Sequence, residues 1–202
     1  IKRTLDNSKP NLIGLTKSQL QRALKDVEKD SKVIRMRSSQ LWAWIYTKGV
    51  NDFHQMTNIS KEFRKKLSNN FVLKGLKLVS KQVSRDGTRK YLLGLQDGNE
   101  IEAVYIPEKN RGTLCISSQI GCTLNCSFCH TGTQKLVRNL TAAEIVGQLL
   151  FARDDLKEWP KDGGSKDGKR LISNIVIMGM GEPLYNFDSI KYALKIVMDS
   201  DG

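Results

Sequence analysis

Hydrophobic residues recur at helical spacing along the first third of the chain. A segment of capping-box form, Thr16-Lys17-Ser18-Gln19, precedes apolar residues that are three or four positions apart and predicts the start of a first helix. A second helix is predicted to begin at Ser38 or Ser39 and to end before Gly49, and a third to cover residues 60–67. The apolar positions behind these predictions are Leu20, Leu24 and Val27 in the first helix, Leu41, Trp42, Ile45 and Tyr46 in the second, and Phe63 and Leu67 in the third.

The hydrophobic period changes from 3.6 to 2 near Leu76, where three strand-like runs begin. Asp86-Gly87 and Asp97-Gly98 separate these runs and are strong hairpin signals. The sequence therefore predicts a small antiparallel meander with strands at residues 76–84, 88–95 and 100–106, followed by a linker at residues 107–110.

Strands and helices alternate along the rest of the chain, and the second strand is apolar and β-branched. This order predicts two βα units of a buried parallel sheet. If the sheet closes into a barrel, about four more units are expected beyond the present chain. The predicted elements are a strand at 113–117, a cysteine-rich loop, a helix from the capping box at Thr141 through Leu150, a polar loop at 160–170, a strand at 172–178 and a helix from about Phe187 to Met198.

Composition is that of a globular protein. Of 202 residues, 39% are hydrophobic and 27% are charged, and no apolar run approaches the roughly 20 residues of a membrane-spanning helix. The chain opens at Ile1 without a Met or a signal peptide and stops directly after a helical pattern. We therefore expect it to be a fragment of a longer protein.

Positive charge is concentrated at the beginning of the chain. Residues 1–75 hold 16 basic and 6 acidic side chains, a net charge of +10, whereas the remainder holds 17 and 15, a net charge of +2. Such a field attracts polyphosphate and indicates a nucleic-acid partner, RNA or DNA. A solvated basic surface without a partner is the alternative.

Three cysteines lie close together just after a predicted strand. Cys122, Cys126 and Cys129 have the spacing C-x3-C-x2-C. Three thiolates do not complete a tetrahedral zinc site, but they can hold three irons of a [4Fe–4S] cluster and leave the fourth iron open to a ligand. The pattern favours a cluster that binds a small molecule.

Three other interpretations of the cysteines remain open. Zinc would need Cys115 as a fourth ligand, at an unusual spacing for a structural zinc site. The segment from Cys126 to His130 also matches the C-x-x-C-H pattern of c-type haem attachment, which leaves Cys122 unexplained. Three buried thiols in a loop this polar are the least favoured interpretation.

A second motif follows the second predicted strand at its carboxyl end, where α/β folds bind ligands. In Gly179-Met180-Gly181-Glu182-Pro183, the glycines allow the backbone to approach a ligand closely and Glu182 offers an acceptor to an ammonium group. Alone this motif is weak, but its position one βα unit after the cysteine loop strengthens it.

At these two motifs the chain resembles the radical S-adenosylmethionine superfamily. Phe128 occupies the aromatic position before the last cysteine, and Met180 replaces the second glycine of the Gly-Gly-Glu-Pro element. More narrowly, the chain is similar to bacterial adenine-C2 methyltransferases of large-subunit ribosomal RNA and transfer RNA. The segments that carry this narrower resemblance are Glu102-Ala-Val-Tyr-Ile-Pro-Glu108, Gly112-Thr-Leu-Cys-Ile-Ser-Ser-Gln-Ile-Gly-Cys122, Arg138-Asn-Leu140 and Gly179-Met-Gly-Glu-Pro-Leu184.

The resemblance implies a reaction at a carbon that ordinary methyl transfer does not reach. In such enzymes the reduced cluster cleaves S-adenosylmethionine, and the resulting radical abstracts hydrogen from a methylated cysteine whose carbon then attacks adenine C2. A base removes the C2 proton, and a second cysteine resolves the protein–RNA crosslink. By position, the implied roles are cluster ligands for Cys122, Cys126 and Cys129, S-adenosylmethionine contacts for Phe128, Gly181 and Glu182, general base for Glu102 and resolving thiol for Cys115.

The resemblance also implies a fold, partners and a compartment. The fold would be the start of a partial (βα)6 barrel at 111–202, preceded by a basic helical RNA-binding domain at 1–75 and by the meander and linker at 76–110. Expected partners are 23S ribosomal RNA, transfer RNA and an external, flavodoxin-like electron donor, in the cytoplasm and away from membranes.

One part of the family's machinery lies outside this chain. The methyl-carrying cysteine of the family is near its C-terminus, and no residue here matches it, so we expect this fragment alone to be inactive. Two alternatives remain: a relative that methylates adenosine C8, and a non-enzymatic, metal-stabilised RNA-binding module.

Overall fold

The computed structural model describes residues 9–109, 111–159 and 170–199. The first part is helical, and its two ends meet because Leu12 N–H donates to Val72 O at 3.0 Å and Val72 N–H donates to Pro10 O at 3.0 Å. Its helices are α1 (Lys17–Leu24), α2 (Ser31–Trp42), which continues into a π-helical turn (Ala43–Thr47), and α3 (Lys61–Asn70).

The N-cap of α1 is the one the sequence predicts, whereas α3 begins one residue after the predicted start at Ser60 and continues past Leu67 to Asn70. The Thr16 hydroxyl accepts the Gln19 N–H at 3.4 Å while the Gln19 side chain accepts the Thr16 N–H at 2.8 Å, which completes the capping box. The Ser60 side chain caps α3 by accepting the Phe63 N–H at 3.4 Å. α1 ends at Leu24, so Val27 lies beyond it but still packs against the core.

The predicted start of α2 is wrong. Asp30 caps the helix by accepting the N–H groups of Lys32 and Val33, so α2 begins seven residues before Ser38. Ser38 and Ser39 lie inside the helix, where both hydroxyls donate to the Arg35 carbonyl. Serine can satisfy its hydroxyl in this way as well as at a cap, so the residue type alone does not locate the helix start.

The strands that follow the helical first part are β1 (Lys77–Val83), β2 (Arg89–Gly94), β3 (Glu100–Pro107), β4 (Gly112–Cys115), β5 (Gln119–Ile120), β6 (Arg138–Asn139) and β7 (Asn174–Val176). A five-stranded sheet joins the meander to the later strands in the order β1-β2-β3-β4-β7. The first three strands and the β3–β4 pair are antiparallel, whereas β4 and β7 are parallel, as the two βα units predict. A separate two-stranded ladder joins β5 and β6.

One face of the sheet is covered by α4 (Ala142–Leu156), which packs beside α5 (Phe187–Val197). Tyr91 of β2 contacts Phe151 of α4 edge to face at 5.3 Å between ring centroids. Asp155 of α4 also accepts hydrogen bonds from β1 and β2. The buried residues of the sheet, of these helices and of the helical first part form one hydrophobic core.

Several element ends differ from those predicted. β4 and β7 are shorter than their apolar runs, because the chain bends into loops after Cys115 and Val176. α4 continues past Leu150 to Leu156 and ends at Lys157, which has a φ of 56°. Most of the predicted polar loop at 160–170 lies outside the described residues. In the described ranges, no helix is long and apolar enough to cross a membrane.

Candidate functional site

The two motifs meet at the carboxyl ends of the parallel strands β4 and β7. We call residues 121–137 the cysteine loop and residues 179–183 the Gly-Glu-Pro loop. After β7 the chain stays beside the extension of β4: Gly179 N–H donates to Ile116 O at 3.0 Å, and Ser118 N–H donates to Met180 O at 2.8 Å. The structure thus brings both sequence motifs to one edge of the sheet.

The cysteine loop is closed at its base by the β5–β6 ladder. Gly121 has a φ of +73°, and a Cβ at this position would lie 2.2 Å from the Lys135 carbonyl oxygen. Only glycine therefore allows the two ends of the loop to approach this closely. Cys122 N–H donates to Gln134 O at 3.2 Å, which places the first cysteine at the closure.

All four cysteines are free and partly exposed. Leu124 N–H lies 3.4 Å from the Cys122 sulfur, and Cys129 N–H donates to Cys126 O at 3.1 Å. Gly132 packs back against this turn: a Cβ on it would lie 2.9 Å from the Cys126 carbonyl oxygen. Three partly exposed thiols in one tightly turned loop are a donor set that fits an iron–sulfur cluster.

In the part of the chain that the structure describes, no three His, Cys, Asp or Glu side chains converge on a position for a single metal ion. The ligands of a cubane cluster each bind a different iron, so they surround a larger volume than the ligands of one ion.

The Gly-Glu-Pro loop is shaped by its contact with the chain after β4. A Cβ on Gly179 would lie 2.8 Å from the Ile116 carbonyl, and Gly181 has a φ of +95°. Glu182 is partly exposed and accepts the Leu184 N–H at 3.2 Å. Phe128 is 91% exposed at the surface of the cysteine loop, where its ring is free to contact a ligand.

Cys115 and Glu102 lie on the sheet face opposite α4. Cys115 pairs with Val104 across β3 and β4, and Glu102 lies two residues before Val104 on the same face. Lys90 of β2 forms an ion pair with Glu102 at 2.8 Å. Burial raises the pKa of the Cys115 thiol above its usual value, which a hydrogen bond with Met178 only partly offsets.

Sequence reasoning missed the polar residues that hold the two loops together. Ser117, Ser118 and Gln119 are at most 1% exposed, and Gln148 of α4 is fully buried. Gln148 accepts the Ser117 N–H at 2.8 Å and donates to Ser117 O at 2.9 Å. The available signal was three consecutive polar residues between an apolar strand and a cysteine, a position where buried residues are expected.

Comparison with known structures assigns the class of protein. A crystal structure of a radical SAM methyltransferase from Sphaerobacter thermophilus matches with a TM-score of 0.81 and 34% sequence identity, over 96% of this chain and 53% of that one. Together with the cysteine loop at the ends of parallel strands, this similarity defines the chain as part of a radical S-adenosylmethionine methyltransferase fold.

Sequence comparisons show which RNA methyltransferases the chain is similar to. A model of the ribosomal RNA large subunit methyltransferase N-terminal domain matches residues 10–73. Dual-specificity RNA methyltransferase RlmN of Paracoccus denitrificans is 62% identical over 192 residues, 95% of this chain and 49% of that protein. The protein of the same name from Ruegeria pomeroyi is 57% identical over 202 residues, 100% of this chain and 51% of that protein. The chain spans about half the length of these curated relatives.

Proposed function

We propose that the protein is a radical S-adenosylmethionine methyltransferase that methylates C2 of adenosine in 23S ribosomal RNA and in transfer RNA. The observation that carries the proposal is the meeting of the cysteine loop and the Gly-Glu-Pro loop at the ends of adjacent parallel strands. The names of the relatives support the RNA substrates.

Cys122, Cys126 and Cys129 are the proposed ligands of a [4Fe–4S] cluster. When bound, the cluster supplies the electron that cleaves S-adenosylmethionine reductively. The Leu124 N–H beside the Cys122 sulfur offsets part of its negative charge as a thiolate. Such a site requires a reducing compartment, so we also propose a cytoplasmic location and an external, flavodoxin-like electron donor.

Glu182 and Gly181 are the proposed contacts for the amino group and backbone of S-adenosylmethionine. A carboxylate with one oxygen on the Leu184 N–H retains acceptor capacity for an ammonium group. The exposed Phe128 ring offers an apolar surface for the adenine.

Glu102 and Cys115 are the proposed proton acceptor and resolving thiol. The Glu102 carboxylate, held by its ion pair with Lys90, is the group proposed to accept the proton from adenine C2. Cys115 is held mainly as a thiol by its raised pKa, so it must lose its proton when it acts as a nucleophile. The positions of both groups on one sheet face support their action on the same base.

The cluster assignment is tested by replacing each loop cysteine with alanine after anaerobic reconstitution with iron and sulfide. Each of Cys122→Ala, Cys126→Ala and Cys129→Ala is expected to lose iron and the visible cluster absorbance. Cys115→Ala is the matched control and is expected to retain both. Retained iron in the loop variants would contradict the assignment, and zinc in place of iron without a response to S-adenosylmethionine would favour a metal-stabilised RNA-binding module.

The reaction itself is tested with the complete gene product and a transfer RNA transcript. Nuclease digestion and mass spectrometry are expected to detect 2-methyladenosine, whereas 8-methyladenosine would indicate the C8-specific alternative. In the same assay Cys115→Ala is expected to accumulate a covalent protein–RNA adduct. Normal turnover by that variant would show that Cys115 is not the resolving thiol.

A further inference from the structure

Gln119 is a fully buried amide at the point where the two loops of the proposed site meet. Its side chain is 0% exposed, although it directly follows the bend after β4. A buried amide is stable only when its donors and acceptor are paired, so its partners show what it supports.

The partners of Gln119 belong to three different segments. Its Oε1 accepts the main-chain N–H of Glu182 at 2.9 Å, in the Gly-Glu-Pro loop. Its Nε2 donates to Asn139 Oδ1 at 2.8 Å and to Thr123 Oγ1 at 3.4 Å, on β6 and in the cysteine loop. The main-chain N–H of Gln119 also donates to Met180 O at 3.1 Å.

Asn139 extends this connection to the far side of the Gly-Glu-Pro loop. Its Nδ2 donates to Tyr185 O at 2.9 Å, which fixes the amide orientation in which Oδ1 faces Gln119. Asn186 makes a parallel link by donating to Ser118 O at 2.8 Å and to Leu140 O at 2.7 Å. The Gly-Glu-Pro loop and the turn that follows it are therefore both hydrogen-bonded to the residues at the base of the cysteine loop.

Gly181 and Gln119 also fit each other sterically. A Cβ on Gly181 would lie 2.4 Å from the Gln119 Cβ and 2.6 Å from its Cγ. Glycine is therefore required at position 181 for two reasons: its φ is +95°, and the Gln119 side chain occupies the space that a Cβ would need.

We infer that Gln119 is a positioning residue that sets the separation between Glu182 and the cysteine loop for S-adenosylmethionine binding. The inference rests on the proposed function, because one ligand must then contact both loops at once. A ligand bound by two loops gains affinity when their spacing is fixed before it arrives. Gln119 itself is buried behind the loops and acts through Glu182.

The test is the substitution Gln119→Met in the reconstituted complete gene product. Methionine has nearly the same volume as glutamine but no amide, so the main-chain N–H of Glu182 and the side-chain Oδ1 of Asn139 each lose a hydrogen-bond partner. We expect S-adenosylmethionine to bind at least about tenfold more weakly in equilibrium dialysis, because the variant loses one side-chain hydrogen bond to each of the two loops. Iron content per chain is expected to remain that of the parent protein.

Two further variants make the test specific. Gln119→Asn keeps an amide that is one methylene too short to reach both loops, and it is expected to weaken binding as well. Gln134→Met is the matched control, because Gln134 is exposed in the same cysteine loop, and it is expected to bind S-adenosylmethionine like the parent.

The outcomes separate this inference from the proposed function. If the parent protein takes up a cluster but both Gln119 variants bind S-adenosylmethionine normally, the inference is wrong and the proposed function stands. If the Gln119 variants lose iron to the same extent as they lose affinity for S-adenosylmethionine, Gln119 only supports the fold of the cysteine loop, and the inference is again wrong. If the parent protein itself binds neither cluster nor S-adenosylmethionine, the proposed function fails and the inference fails with it.

Discussion

At the scale of single residues, Gly132 shows how closely the cysteine loop is packed. A Cβ at this position would lie 2.9 Å from the Cys126 carbonyl oxygen and 3.0 Å from its nitrogen, so backbone would have to move. We expect Gly132→Ala to displace Cys126 and to lower the iron content after reconstitution well below that of the parent chain, at a local cost of about 1–3 kcal/mol.

Gly75→Ala is the control for this prediction, because a Cβ at position 75 would meet nothing within 4 Å. The measurement is iron per chain together with the melting temperature. Equal iron contents in Gly132→Ala and Gly75→Ala would show that the loop relaxes without disturbing the cysteines.

Cys115 allows a second prediction at this scale. Since burial raises the pKa of its thiol, the reactive thiolate is scarcer at neutral pH than in an exposed cysteine. In a variant with Cys122, Cys126 and Cys129 replaced by alanine, Cys115 is the one thiol in the sequence. We expect its alkylation by iodoacetamide to be slow at pH 7 and to reach half its maximal rate at a higher pH than that of the same chain unfolded in urea. A midpoint at or below that of the unfolded chain would be inconsistent with the burial seen here.

The three loop cysteines and Glu182 could be proposed as site residues from the sequence because they belong to two motifs that lie one βα unit apart. Gln119 and Lys90 could not, because their importance comes from contacts across the fold. Gln119 is separated by 63 positions from its partner Glu182, and Lys90 meets Glu102 only once β2 and β3 pair. Single-sequence patterns report local periodicity and do not report such pairings.

At the scale of secondary-structure elements, Asp155 ties the end of α4 to the meander. It accepts hydrogen bonds from Lys81 at 2.7 Å, Arg89 at 2.6 Å and Tyr91 at 3.0 Å. Burial tends to raise the pKa of this carboxyl, but the three donors outweigh it and hold the pKa below its usual value.

The predicted consequence is a pH-dependent loss of stability in Asp155→Asn. A carboxyl whose pKa is lowered by folding stabilises the fold above the pKa of the unfolded chain, and the contribution is lost as pH falls through the folded pKa. Urea unfolding is expected to give a variant less stable by about 2–3 kcal/mol at pH 7, with the difference shrinking below about pH 4. Asp26 is exposed, so Asp26→Asn is the control and is expected to leave the free energy of unfolding unchanged. A difference between parent and Asp155→Asn that is independent of pH would refute the ionic contribution.

Element boundaries show where sequence patterns stop being informative. The three meander strands follow from alternation and from the Asp-Gly turns, both of which are local signals. The β5–β6 ladder pairs only two residues on each side, so it has no period to detect. α4 extends beyond the end of its apolar pattern because Arg153 and Asp155 form hydrogen bonds and ion pairs with other elements instead of facing solvent.

At the scale of the whole molecule, the meander and the parallel strands form one sheet instead of separate layers. This continuity places Glu102 on β3 two residues from Val104, the cross-strand partner of Cys115 on β4, although the sequence assigned Glu102 to a meander and Cys115 to a barrel. The helical first part packs against the same structure, since Arg153 of α4 donates to Tyr46 O at 3.2 Å. The region of highest positive charge therefore contacts α4, the helix whose Gln148 is hydrogen-bonded to Ser117 beside the proposed site.

The charge distribution leads to a last prediction, on RNA binding. Residues 1–75 carry a net charge of +10, and α3 exposes Lys61, Lys65 and Lys66 on its outer side. If these lysines neutralise phosphates, replacing all three by glutamine should weaken binding to a transfer RNA transcript and lower the slope of log K against log salt by roughly 2 to 3. The control replaces Lys77, Lys191 and Lys195, which are also exposed but lie beyond the basic region, and removes the same charge. Because both variants change net charge equally, a long-range field would weaken binding equally in both. Only direct contact by α3 predicts a difference, so equal slopes for the two variants would rule out this helix as the RNA-contacting surface.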